Sequence, residues 1–210
     1  MFNIKNFIAI GMLVCLFPCG SAYAQDTHKP VAFQGHLVAL EDFDGSMDAK
    51  SVWVRIKAGG GIKLDKRTPD FGVTQSTFWF SIPVRALQLD REKEWVLEVA
   101  FPRLQDVQFF EMSEVGEVNQ HFHVTVNTPL SERPIYGRNY LFPVNSQNEI
   151  ERVLVRVQST VPMQVPLILQ TRSDSEKARI HRDFALGIYF GLAVIMVLYN
   201  LTIFGFTRET

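Results

Sequence analysis

Cysteine is almost missing from these 210 residues: Cys15 and Cys19 are the only two. Both fall inside an N-terminal stretch built like a secretory signal. Lys5 supplies a short basic start, and residues 7–17 (FIAIGMLVCLF) form an apolar segment short of a comfortable membrane span. Ala22-Tyr23-Ala24 is a small-x-small cleavage site, which predicts a cut before Gln25. A lipoprotein signal using Cys19 is disfavoured by Phe17 and Pro18 just before it. The mature chain is then expected to carry no disulfide, no thiol nucleophile and no thiolate metal site. An excess of one charge is also missing, with 21 Lys+Arg against 22 Asp+Glu, so nucleic acid is not an expected partner. Missing too are a Ser-His-Asp order, a paired-carboxylate motif and a nucleotide-binding motif. An enzyme is therefore not expected, and no cofactor is implied.

A long hydrophobic run is present. Residues 184–206 (FALGIYFGLAVIMVLYNLTIFGF) carry no charge. As a helix rising 1.5 Å per residue they reach about 34 Å, enough to cross a hydrocarbon core of about 30 Å with some tilt. The competing reading, a buried core helix of a soluble protein, is disfavoured because soluble helices seldom run this long without a polar face. The expected organisation is a signal at 1–24, an exported domain at 25–172, a polar connector at 173–183, a transmembrane helix at 184–206 and a cytoplasmic tail at 207–210. The expected location is a bacterial inner membrane, with residues 25–183 on the periplasmic side. The loop charges argue the other way. Lys177, Arg179 and Arg182 precede the helix on the exported side and only Arg208 follows it, against the positive-inside tendency.

The exported segment reads as strands. Alternation predicts one over 51–57 (SVWVRIK), with Val52, Val54 and Ile56 sharing a face. Others are expected at 77–82, 95–101, 106–112, 121–127, 138–144, 151–158 and 165–171, with an edge strand at 31–33 or 37–40. Phe122, Val124 and Val126 are expected to point inward, and Trp53, Trp79 and Trp95 to be strand residues of the core. Turn formers separate nearly all of these strands, so the fold class is all-β, an antiparallel sandwich of jelly-roll type followed by one transmembrane helix. The acidic stretch 41–48 (EDFDGSMD) reads as a solvated turn; its acids suit calcium chemically, but the spacing matches no EF-hand loop. Gly59-Gly60-Gly61 lacks the rest of a P-loop and reads as a flexible hairpin or loop.

Two groups are candidate ligand-binding residues. His121 and His123, two apart on one strand, share a face; without a third ligand in a recognisable pattern they make no zinc site. Residues 127–138 (NTPLSERPIYGR) place Arg133, Tyr136 and Arg138 in one loop. A guanidinium offers a planar fork and a ring stacks on a sugar face, so this loop suits a carbohydrate or carboxylate. The alternative is that Arg133 pairs with a core carboxylate and fixes the loop. In the membrane helix, Gly187 and Gly191 form G-x-x-x-G, a close-approach face for a second helix. Asn200 lies about 200° around from that face, which favours a bundle unless it sits near the far interface.

The order of three stretches then becomes familiar: residues 95–110 (WVLEVAFPRLQDVQFF), 129–143 (PLSERPIYGRNYLFP) and 153–159 (VLVRVQS). Together they resemble the type-2 extracellular domain of bacterial seven-transmembrane receptors with diverse intracellular signalling modules. Residues 187–191 (GIYFG) and 198–201 (LYNL) are similar to the first helix of that family's membrane unit, so the resemblance covers roughly residues 43–206. It implies a galactose-binding-like jelly roll outside the cell that takes carbohydrate or a related small ligand. It also implies seven helices and a cytoplasmic output such as a histidine kinase or diguanylate cyclase. The sequence ends at Thr210, which predicts a receptor cut short after its first helix or one acting through a partner. The family often carries Arg shortly after its early Trp; here Trp79 is followed by Phe80-Ser81. The function expected is ligand sensing for a membrane receptor. A second reading is an interaction module that binds another receptor's exported domain, with homo- or hetero-oligomers formed through the helix.

Overall fold

The computed structural model describes residue 31 and residues 36–64, 68–146 and 150–208. The signal reading, with Cys15 and Cys19, lies outside the described residues. Among the described residues nine strands form two sheets: β1 (Leu37–Asp42), β2 (Ile62–Leu64), β3 (Thr77–Ile82), β4 (Trp95–Val99), β5 (Asp106–Ser113), β6 (Val118–Thr125), β7 (Tyr140–Val144), β8 (Ile150–Gln158) and β9 (Leu167–Thr171). A six-stranded sheet in the order β2-β1-β3-β8-β5-β6 faces a three-stranded sheet in the order β7-β4-β9, and every strand pairing is antiparallel. The expected all-β antiparallel sandwich is what the chain forms.

Period-2 patterning builds its core. Phe78, Phe80 and Ile82 of β3, Leu97 and Val99 of β4, Val107 and Phe109 of β5 and Val153, Val155 and Val157 of β8 meet between the sheets. Phe109 stacks on Phe142 of β7 at 5.1 Å. Trp95 belongs to this core and donates its indole N–H to the Asp90 carbonyl at 2.9 Å.

The predicted strand at 51–57 is a helix, α1 (Ala49–Lys57). Strand and helix periods agree that Val52 and Ile56 share a face. They disagree about Ala49, which the helix buries, and Val54, which it leaves 58% exposed. Asp48 decides the matter as N-cap, accepting from the Ser51 N–H at 2.9 Å, while Arg55 and Lys57 sit favourably in the last turn. Helix α1 packs on the outer face of the large sheet, where Ala49, Val52 and Ile56 join Leu40, Trp79, Met112 and Leu154 in a second core. Trp79 thus lies under α1 rather than between the sheets, and Trp53 is a helix residue over the β5–β6 turn. That turn needs glycine: Gly116 has φ 84°, and a Cβ there would stand 2.9 Å from the Trp53 ring.

The acidic stretch is structural. Asp42 accepts from the Met47 N–H at 3.0 Å and the Trp79 indole at 3.4 Å, and Asp48 is the cap. Strand β6 begins three residues before its expected start and ends at Thr125, where Thr128 closes a turn by accepting from the Thr125 N–H. Val126 therefore lies past the strand and is exposed, while Phe122 and Val124 face the core.

The last strand runs straight into helix α2 (Arg172–Arg208). The Thr171 hydroxyl accepts from the Asp174 N–H at 3.3 Å, and Asp174 lies in the first turn. The apolar part of α2 is exposed on all sides, and none of its most apolar 18-residue window is buried. It is long and apolar enough to cross a membrane.

Candidate ligand cleft

Strand β4 puts Trp95, Leu97 and Val99 into the core, so Val96 and Glu98 point from the small sheet toward α2. Glu98 is a charged residue in an otherwise apolar strand, yet only 3% exposed. Burying a carboxylate is costly unless its oxygens are satisfied. Asn139 Nδ2 donates to one oxygen at 2.5 Å and Gln170 Nε2 to the other at 2.9 Å. Arg182 Nη1 of α2 approaches at 3.9 Å. One carboxylate thus ties the 127–139 loop, the small sheet and the base of the membrane helix together.

The loop is braced from inside. Arg133 donates Nε to the Thr128 carbonyl at 3.4 Å and Nη1 to the Gly137 and Arg138 carbonyls at 3.3 and 3.4 Å. Its guanidinium lies 5.1 Å from the centre of the Tyr140 ring. Arg133 therefore fixes the loop, through carbonyls rather than a core carboxylate. Tyr140 is buried, donates to the Leu104 carbonyl at 2.5 Å, and has its phenol pKa pushed up by that burial.

With Arg133 turned inward, Tyr136 and Arg138 face out. Tyr136 is 62% exposed; its carbonyl accepts from Arg179 Nη1 at 3.3 Å, and the Arg179 guanidinium lies 6.0 Å from its ring centre. The Arg138 guanidinium has no partner among the described residues. Between this loop, the outer face of the small sheet and α2 lies a cleft of about 720 Å³. Leu130, Ile135 and Leu141 give it an apolar wall, and Arg138, Arg179 and Arg182 a cationic one. That mix of apolar lining and a few convergent polar groups is what ligand sites are made of.

The two histidines are elsewhere. They share a face, as their spacing requires, but it is the outer face of the large sheet, and neither lines the cleft. His121 stacks on Phe110 at 4.3 Å, and burial, then the neighbouring His123, lower its pKa. His123 Nε2 lies 2.5 Å from Asp106 Oδ2, and Asp106 Oδ1 accepts from Arg156 at 3.2 Å. Among the described residues no group of three or more His, Cys, Asp or Glu could hold a metal.

The structure thus keeps Tyr136 and Arg138 at the cleft, turns Arg133 into its scaffold and separates His121 and His123 from it. Sequence reasoning missed Glu98, Asn139 and Gln170. The one signal available was a charged residue at the fourth position of an apolar strand. In α2, Gly187 and Gly191 face open space, and Asn200 Nδ2 donates to the Met196 carbonyl of its own helix at 2.8 Å.

Compared with known proteins, residues 34–171 match the family model described as 7TMR-DISM extracellular 2. No curated protein matches the chain. Among solved structures, the chain is similar to a Streptococcus pneumoniae fucose binding module at 11% identity and a TM-score of 0.33. That match covers 68% of this chain and 95% of the other.

Proposed function

The chain belongs to the 7TMR-DISM extracellular 2 family, and from that premise we propose that this extracellular receptor domain senses a small ligand in the cleft and reports it through α2. The proposed ligand class is carbohydrate or a related small molecule, and the proposed location is a bacterial inner membrane with residues 25–183 outside. One observation carries the reading: the cleft has one wall on the sandwich and the other on the helix that leads into the membrane-spanning run.

Occupancy of such a cleft acts on contacts that are individually weak. Arg172 pairs with Glu94 and Glu176 at 3.3 Å in exposed positions, and exposed ion pairs contribute about 0–1 kcal/mol each. The Arg179–Tyr136 contact is partly exposed, and the Arg182–Glu98 approach is long. A ligand that engages Tyr136 and Arg138 competes with or reinforces these contacts, and the difference is what shifts α2. Because β9 passes into α2 with no loop between them, displacement of the small sheet also reaches the helix directly.

The test uses the full chain in detergent with a panel of neutral and acidic sugars. A ligand at roughly a hundred times its Kd stabilises the folded state by about 2.7 kcal/mol, which thermal unfolding detects readily. We expect stabilisation by at least one sugar, lost in Arg138→Ala. Cysteines placed at Ile135 and Arg179, which leave Tyr136 and Arg138 in place, should crosslink at a rate that this ligand changes. A panel without any stabilising sugar, or a ligand that leaves the crosslinking rate unchanged, overturns the reading.

A further inference from the structure

Lys177, Arg179 and Arg182, three cations within about two turns of the apolar run, sit on the side of α2 where the membrane-orientation tendency disfavours them. The cleft accounts for two of them: Arg179 and Arg182 line it, together with Arg138 of the loop. We propose that the membrane end of this cleft binds the phosphate of an anionic membrane lipid.

Position is the first argument. The cleft is lined by α2 residues from Arg172 to Leu186, about 21 Å along the helix axis. Leu186 belongs to the apolar run that starts at residue 184, so this end of the cleft lies at the depth of the lipid headgroups. Charge is the second. Of the acids that line the cleft, Glu98 is held by Asn139 and Gln170, and Glu176 pairs with Arg172. That leaves two acids, Glu98 with Arg182 at 3.9 Å and Asp183, against three cations, Arg138, Arg179 and Arg182, so the cleft keeps an excess of positive charge. The third is donor availability. The Arg138 guanidinium has no partner among the described residues, and Arg182 stands 3.9 Å from Glu98, beyond hydrogen-bond length. A guanidinium fork matches a phosphate in two parallel bonds. Leu141 and Leu186 line the same cleft and give the glycerol end of the lipid an apolar contact. A headgroup here bridges loop and helix, so it acts on the same contacts as the ligand proposed above without depending on that ligand's identity.

The experiment uses the full chain in detergent, offered equal amounts of phosphatidylglycerol and phosphatidylcholine, with retained lipid measured by native mass spectrometry. We expect several-fold preference for phosphatidylglycerol, abolished in the double variant R138Q/R182Q while its circular dichroism stays that of the parent. Equal retention of the two lipids overturns the proposal, as does a preference that survives in the double variant. Soluble glycerol phosphate provides the other arm: if it displaces phosphatidylglycerol at matched concentration, the source is a free anion and the lipid assignment falls. A sugar response without a lipid preference sinks this inference alone; a lipid preference without a sugar response sinks only the carbohydrate reading.

Discussion

At the scale of single residues, burial decides which charges are structural. Glu111 lies inside the sandwich, is nearly inaccessible, and accepts only the Asn145 N–H at 2.8 Å among its described bonds. Desolvation, the larger cause, raises its pKa from 4.5 to about 7, and that one hydrogen bond opposes the rise. The folded state therefore binds this proton more tightly than the unfolded chain. The stabilisation is fully present below about pH 4.5 and is lost as pH rises through about 7. We expect the melting temperature to fall across that window by several degrees, and Glu111→Gln to flatten the fall, as read by thermal unfolding at a series of pH values. Arg133 makes a second residue-scale prediction. Arg133→Lys keeps the charge but loses the fork that serves three carbonyls, so it should cost roughly 1–3 kcal/mol in urea unfolding. A variant as stable as the parent would mean that the loop is braced by something else.

Among the elements, α1 shows how a short apolar pattern is ambiguous. Residues 51–57 alternate well enough for a strand, and a window of seven residues does not separate the two periods. The deciding information lay just outside the window, in Asp48 as cap and Ala49 as the next residue on the buried face. The helix makes Val52 and Val54 unequal, whereas a strand makes them alike. Val52→Ala should destabilise by roughly 1–3 kcal/mol and Val54→Ala by less than about 0.5. Asp48→Ala should cost about 1 kcal/mol through the lost cap. Urea unfolding followed by tryptophan fluorescence measures all three. Equal losses at Val52 and Val54 would restore the strand. Apart from β2, a three-residue strand that no expectation covered, the remaining strands were legible because each carries its own period, and their ends moved by only a few residues where turns such as Thr125–Thr128 took over.

For the whole molecule, the candidate site is an assembly of distant parts. Glu98, Asn139, Gln170 and Arg182 meet because β4 pairs with β7 on one side and with β9 on the other, and because β9 continues into α2. Association of the membrane helix is a question at this scale too. Gly187 and Gly191 leave an open face, while Asn200 is satisfied by its own backbone. If copies associate through that face, the double variant G187L/G191L should lower the crosslinked dimer yield in native membranes several-fold, and Asn200→Leu should leave it unchanged. The opposite pattern would move the contact to the Asn200 side.

The sequence alone determined the properties that reside in a continuous stretch of chain. An uncharged run of membrane length, alternation in most strands and three family stretches in order are local, so they survive being read one residue after another. Tertiary structure alone decided which face Trp79 covers, that Arg133 braces its own loop through carbonyls, that the histidines lie apart from the cleft, and that Glu98 joins loop, sheet and helix. The physical reason is register. Strand pairing brings together residues 41 to 84 positions apart at Glu98, and the linear spacing of a sequence carries no record of which pairs will meet.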